Sequence, residues 1–421
     1  AFGPTNNCIG IAEDLQRLGH RAVFVVEESF AGTLAARGFD ERTMRLQPPP
    51  DVPEEPGQFW KDFIRDTAPH FRESPQEQIA TLTAPIWEQL VAGSVYVEPR
   101  LREIFAEVRP DAIVEDNVIL FPAVATAGVP WARIVSCNPL EIADPDLPPA
   151  LSGLPLADRS GWAPFRQAYQ RRLADLHAGF AAEARDACAP ELPNGEFMVE
   201  SPWLNLSLYP EELDYPRSTP LAATWRRIDS SVRAAPPFDL PEALRRHPGP
   251  LLYVSLGSLG SAEPELMGRL IDLLGRSSYR AIVSLGPQAG RIDLPPNVWG
   301  EEFLPQPSIM PLVDAVITHG GNNTVTECMH FGKPMLALPL FWDQHDNAQR
   351  VAETGFGHRL APYAFSDADF FQAVDDLLTD DDRRARLTAA ARRIQGGSGT
   401  AKAARLIARL AETQQPIVDG A

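Results

Sequence analysis

The short run Ala315-Val316-Ile317-Thr318 breaks at His319-Gly320-Gly321-Asn322-Asn323-Thr324, and an apolar run resumes from Met335 to Leu340. Two strand-length apolar runs around a helix-length segment predict a βαβ unit. The first four N–H groups of a helix have no partner, and the helix dipole is positive at that end, so a strand-to-helix turn attracts anions. Gly320 and Gly321 carry no Cβ, which lets a phosphate approach the backbone. His319, Asn323 and Thr324 add side-chain donors. The loop is therefore suited to a phosphate or diphosphate. Such a turn alone is weak evidence, because glycines also close ordinary βα loops.

The surrounding residues sharpen the reading. Phe303-Leu304-Pro305-Gln306 precedes the loop; Glu327, Gly332-Lys333-Pro334 and Asp343-Gln344 follow it. In order and separation this resembles the donor-binding signature of the UDP-glycosyltransferase family, inverting enzymes with two facing Rossmann-like domains of parallel sheet and a cleft between them (the GT-B fold). The resemblance implies an α/β fold of that kind and a role for each residue. Phe303 would stack on uracil, with Gln306 in the same base-binding turn. His319, Gly321, Asn323 and Thr324 would hold the diphosphate. Glu327 would bind the ribose; it lies three residues after Thr324, so both project from nearly one face of the helix start. Asp343 and Gln344 would hydrogen-bond sugar hydroxyls, a carboxylate accepting from two at once and an amide both giving and accepting. Upstream, Pro250 to Ser255 reads as a buried parallel strand ending at Leu256-Gly257-Ser258. By resemblance Ser258 reaches the diphosphate.

The chain has 421 residues, enough for two domains with substantial cores. The resemblance divides it into an acceptor-binding domain at 1–235, a nucleotide-sugar domain at 236–399, and a last helix at 400–421 that crosses back to the first domain. The opening Ala1 to Asn7 reads as a loop leading into an amphipathic helix, Ile9 to Leu18, and Arg21 to Val26 reads as a strand. A member of the family carries a central strand before that loop, so a short N-terminal strand is expected to be missing from the sequence. Asp111 to Val114 and Trp131 to Val135 read as strands, Pro99 to Val108 and Pro122 to Ala127 as helices. Residues 61–98 and 139–215 carry further helix with scattered aromatic residues, and are expected to line the acceptor pocket.

A net charge of −18 argues against nucleic acid or an anionic membrane surface as partner. Lysine occurs only at Lys61, Lys333 and Lys402, and this arginine-, alanine- and proline-rich usage suggests a GC-rich bacterial genome. Cys8, Cys137, Cys188 and Cys328 show no metal-ligand spacing, which points to free thiols in a reducing cytoplasm. Asp144-Pro145-Asp146 sits in a proline-rich loop, so no metal is expected. No apolar run approaches the ~20 residues that span a bilayer.

The catalytic base fits the pattern less well. The family uses a histidine in the loop after its first strand, oriented by an aspartate at the end of a later strand. Asp116, in Val114-Glu115-Asp116-Asn117, matches the aspartate; the histidine position falls on Pro4. Three readings stay open: Asp116 acts alone or through water, another residue such as His70 swings in, or the acceptor needs little help. The sequence therefore reads as a glycosyltransferase moving a hexosyl group from a UDP-sugar to a small apolar acceptor. UDP-glucose is the first choice of co-substrate, a dTDP-sugar the other option, and no further cofactor is expected. The alternative is an impaired sugar-nucleotide-binding auxiliary protein of a natural-product pathway. Gly257-x-x-Gly260 lacks the full dinucleotide fingerprint, so a dehydrogenase is not supported.

Overall fold

The structure, a computed structural model, describes residues 2–49, 65–261 and 263–418, with the side chains of Phe2, Ser258 and Leu259 left out. Residues 50–64, which include the start of the 61–98 segment read as helix, lie outside the described residues.

Two bodies of parallel sheet account for the strands. In the first, β1 (Val23–Glu27) pairs with β2 (Asp40–Met44), and β3 (Ile113–Asp116), β4 (Trp131–Val135), β5 (Leu204–Leu208) and β6 (Trp225–Ile228) form a four-stranded sheet in that order. Every residue of β4 and β5 is buried, as a parallel sheet covered on both faces requires. Helix α1 (Phe2–Arg17) lies over this sheet, and the long helices α2 (Ala84–Val108) and α3 (Trp162–Asp186) pack around Trp87, Phe121, Trp131, Phe180 and Phe197.

The second body holds β7 (Leu251–Ser255), α4 (Pro264–Gly275), β8 (Arg280–Ser284), β9 (Val298–Glu301), β10 (Ala315–Thr318), α5 (Asn322–Phe331), β11 (Met335–Ala337), α6 (Gln344–Glu353), β12 (Gly357–Arg359), α7 (Asp367–Thr379) and α8 (Asp381–Gly397). Its strand order is β12-β11-β10-β7-β8-β9, so chain direction across the sheet reverses between β7 and β10. Ligands of open α/β sheets bind where that reversal opens a crevice at the strand ends. The last helix, α9 (Gly399–Thr413), buries Leu406, Ile407 and Leu410 against Ile11, Leu206, Leu208 and Ile228 of the first body.

Three local expectations are corrected. Helix α1 begins at Phe2 and includes Pro4, so the opening segment is helix and not loop. Proline fits a first turn because the N–H it lacks would be unpaired there anyway. Pro99 lies inside α2 and does not start a helix: the long apolar face of Val91, Val97, Leu101 and Ile104 carries the helix through it. Strand β3 runs two residues further than read, to Asp116, in register with Ile134 of β4.

Candidate active site

Strands β7 and β10 are neighbours, with Thr318 opposite Ser255, so the loops that follow them lie side by side at the reversal. His319 leads the second loop and its imidazole is wedged between the two glycine turns. A Cβ on Gly257 would come within 2.5 Å of its Nε2, and one on Gly321 would also collide. Only glycine at both positions leaves room for the ring. Gly257 has φ +72, which independently disfavours a side chain. Burial pushes the His319 imidazole down to about 4, against a pull from the Ser255 backbone, so the ring is neutral at pH 7. Gly321 caps α5, and the Asn323 amide donates across the cleft to Gly3 O at 3.0 Å. Ser258 sits in the helical turn Gly257–Gly260, and its side chain lies outside the described residues.

Gln306, Thr324 and Glu327 converge. Gln306 Nε2 donates to Glu327 Oε2 at 2.6 Å and lies 3.4 Å from Thr324 Oγ1. The shared helix face of Thr324 and Glu327 is therefore where one amide meets both. Phe303, three residues before Gln306 on the turn after β9, is 75% exposed.

Asp343 and Gln344 open α6, and the structure adds ties that the sequence did not suggest. Asp343 Oδ2 accepts from the Asn138 backbone N–H (3.0 Å) of the first domain and from Asn347 Nδ2 (3.2 Å). Gln344 Oε1 accepts from the Leu340 and Phe341 N–H groups. Burial, aided by the Glu141 charge, raises the Asp343 carboxyl to about 7. Three residues on, Asp346 accepts from Gly153 N at 2.7 Å and from Leu151 N, so the first turn of α6 is seated in the first domain.

Asp116 is at the opposite wall, at the end of β3. Its Oδ1 accepts from Ser136 Oγ at 2.6 Å. Its Oδ2 is buried and meets no strict hydrogen-bond geometry among the described residues; Asn7, one turn after Pro4 on α1, is the polar side chain that faces it and favours its charged form. Burial raises Asp116 to about 7, with the Glu141 charge adding to it. The His70 ring, by contrast, is engaged by Glu73 at 2.9 Å.

Residues missed by the sequence reading complete the wall. Asn347 is fully buried and saturated: Nδ2 donates to Gly320 O (3.0 Å) and to Asp343, while Oδ1 accepts from Asn138 Nδ2 (2.9 Å) and Tyr209 OH (3.0 Å). Asn322 Nδ2 donates to Ser136 O at 2.6 Å. The i, i+4 spacing of Asp343 and Asn347 was a usable signal; the pairing with strand ends of the other domain was not.

These carboxyls fix a stability trend. Glu115 is raised to about 8, and Asp116, Asp343 and Asp346 to about 7, in each case mainly by burial. The folded state then binds more protons than the unfolded chain, and stability falls as pH rises through those values. The neutral buried His319 and His345 act oppositely, but below about 6.5, where unfolded imidazoles gain protons. Calorimetry is expected to give a lower Tm at pH 8.5 than at pH 6.5. A flat or rising Tm over that interval would contradict the raised values.

Known proteins share the overall architecture of this chain. The family described as UDP-glucoronosyl and UDP-glucosyl transferase matches residues 212–388. NDP-glycosyltransferase YjiC of Bacillus subtilis (strain 168) is 22% identical over 417 residues, covering 96% of this chain and 93% of that protein. Demethyllactenocin mycarosyltransferase of Streptomyces fradiae is 24% identical over 431 residues, covering 97% and 84%. The crystal structure of the glycotransferase of kitacinnamycin superposes with a TM-score of 0.70 at 22% identity, over 96% of this chain and 95% of that one. Among the described residues no helix is long and apolar enough to cross a membrane. The signature around His319 and the reversal point that carries it fall within the residues that match the UDP-glucoronosyl and UDP-glucosyl transferase family, and together these likenesses give the chain the GT-B fold of a glycosyltransferase.

Proposed function

We propose that the protein transfers a hexosyl group, glucose first, from a UDP-sugar to a small apolar acceptor with inversion. Residues 1–235 would hold the acceptor and 236–399 the donor, with 400–421 bracing the two. The observation that carries the reading is the His319 imidazole lodged between Gly257 and Gly321 at the sheet reversal. The leaving diphosphate would lie there, against His319, Ser258, Asn323, Thr324 and the N–H groups that open α5. The negative charge that develops as the sugar departs is then met by fixed donors. The acceptor attacks the anomeric carbon, the bond to the diphosphate oxygen breaks with its electron pair, and Asp116 takes the acceptor proton. Asp343 and Gln344 would hold the sugar hydroxyls and Phe303 the base.

UDP is favoured over dTDP by Glu327. A carboxylate offers about four lone-pair positions. Arg233 and Gln306 occupy one on each oxygen. What remains suits the two hydroxyls of ribose better than the single one of deoxyribose. A mass-spectrometric acceptor screen with UDP-glucose and dTDP-glucose tests this, with a hexose mass gain expected from UDP-glucose. A preference for dTDP-glucose would refute the UDP assignment. In the same assay, Asp343→Asn keeps an acceptor for the Asn138 N–H and removes the charge. Turnover is expected to fall about 10–100-fold, the range for one hydrogen bond to a charged group. UDP affinity should stay within about twofold by the same reasoning, since the sugar alone is touched. Equal losses in both would make the pair structural.

A further inference from the structure

After β6 the chain passes between the domains and is pinned to α1. Ser231 Oγ donates to Asn7 O at 2.7 Å, and the Ala234 N–H donates to Glu13 at 3.2 Å. The two fit closely over Gly10, where a Cβ would lie 3.1 Å from Ser231 Oγ and 3.5 Å from the Arg233 nitrogen. Between these anchors Arg233 sends its side chain into the second domain. Its Nη1 donates to Glu327 Oε1 at 3.1 Å, while Gln306 holds Oε2.

We propose that Arg233 is a positioning residue of the donor site, which keeps the Glu327 carboxylate ionised and aimed at the ribose of the nucleotide. This rests on the assignment of Glu327 to the ribose. Glu327 is 2% exposed. A buried carboxylate without a counter-charge takes up a proton. It then presents an O–H and loses acceptor capacity toward the ribose hydroxyls. The groups that face Glu327 are Arg233 from the connector, Gln306 from the turn after β9, Thr324 one turn earlier, Cys328 beside it, and Tyr253 of β7. Burial keeps the thiol and the phenol neutral. Arg233 alone among these described groups carries positive charge, and it opposes the upward push of burial on Glu327. The anchors on α1 hold the backbone that presents the guanidinium, so less freedom is lost in making the pair.

The test is UDP affinity by calorimetry between pH 6.5 and 9 in wild type, Arg233→Met, Arg233→Gln, Arg233→Lys and Glu327→Gln. Affinities are read as the ratio of variant to wild-type Kd, which cancels titration of UDP and of shared groups. For Arg233→Met the ratio is expected to grow as pH falls, by up to about tenfold per unit while the Glu327 pKa lies above the assay pH. Arg233→Gln keeps an N–H for Glu327 without the charge; it should show the same slope, and serves if the Met variant does not fold. Arg233→Lys should restore a flat ratio. A ratio above one that does not change with pH would reduce Arg233 to a packing role, and a ratio of one throughout would remove it from the site. Either overturns the proposal. Glu327→Gln should weaken UDP binding by a pH-independent factor of about ten or more, the loss of a charged hydrogen bond. If Glu327→Gln binds UDP as wild type does, the ribose assignment itself fails and the Arg233 proposal falls with it. If Glu327→Gln weakens binding and the Met and Gln variants at 233 do not, only the Arg233 proposal falls.

Discussion

Asp116→Asn lowers turnover with an alcohol acceptor by about 10²–10⁴-fold, the span that general-base help supplies, and leaves UDP affinity unchanged. As the proposed base, the carboxylate lies at the C-terminal end of β3, with one oxygen held by Ser136 and the other facing Asn7. Its pKa of about 7, raised chiefly by burial, means that a substantial fraction is ionised at neutral pH and that the conjugate acid is not too weak to return the proton. The sign follows directly. The active form is the deprotonated one, so kcat/KM with an alcohol rises through about pH 7 and levels above it. The Asn variant should lose that rise. Asparagine keeps the shape and an acceptor for Ser136, so a folding defect is not expected. A neutral amine already presents a lone pair and sheds its proton after attack, so transfer to a matched amine should fall much less. Alcohol turnover within a fewfold of wild type in Asp116→Asn would exclude this carboxylate as the base. Pro4→His adds a second arm. Pro4 lies in the first turn of α1, whose Gly3 carbonyl is bonded to Asn323 of the donor loop and whose Asn7 neighbours Asp116. An imidazole at this position should raise alcohol transfer selectively. No gain would mean that this turn is not where the family's histidine acts.

The βαβ unit around His319 was legible because its signals are local. Strand, glycine turn and helix follow one another within a few residues, and the positions of His319, Thr324 and Glu327 on that unit follow from backbone geometry alone. The pair Gly257 and Gly321 could be singled out as turn glycines, but not as the two walls around one imidazole. That relation needs β7 and β10 to be neighbours, and they are separated in sequence by β8 and β9. Boundaries slipped where a proline was read by its commonest position. Pro99 suggests a helix start, yet the apolar face of α2 runs through it. Pro4 suggested a loop, yet a first helical turn tolerates it. Arg233 gave no sequence signal, since an arginine in a proline- and arginine-rich connector reads as a solvated charge. Its partner Glu327 lies on α5, in the other domain. The sugar role proposed for Asp343 rests on resemblance; its bond to the Asn138 backbone gave no sequence signal, because the two residues lie in different domains.

Asn347→Leu is the change expected to cost most in stability, by more than ~3 kcal/mol, because it orphans several buried groups at once. Leucine has the same branched shape and leaves no cavity, but its methyls are bulkier, so some overpacking adds to the loss of hydrogen bonds. Four groups lose their partner: the Gly320 carbonyl, one bond of Asp343, the Asn138 amide and the Tyr209 hydroxyl. Each buried group left unpaired costs about 1–3 kcal/mol. The Tyr209 hydroxyl and the Asn138 amide remain in contact at 3.3 Å, which recovers part of the loss and sets the lower figure. Function should fall with stability, because Asn347 joins the backbone of the phosphate loop to the carboxylate assigned to the sugar. Gly320 has φ +84 and no side chain to anchor it, so its carbonyl contact with Asn347 fixes the peptide plane next to His319. Asn347→Asp separates the two halves of the bridge. It keeps an oxygen for Asn138 and Tyr209, but it loses the amide donor to Gly320 and places a second carboxylate beside Asp343. Chemical denaturation should rank wild type above both variants. UDP-glucose turnover of the folded Asp variant should fall as that of Asp343→Asn does, since both disturb the same carboxylate. A Leu variant with wild-type denaturation midpoint and turnover would show that the strand ends of the first domain and the phosphate loop are held in register by packing alone.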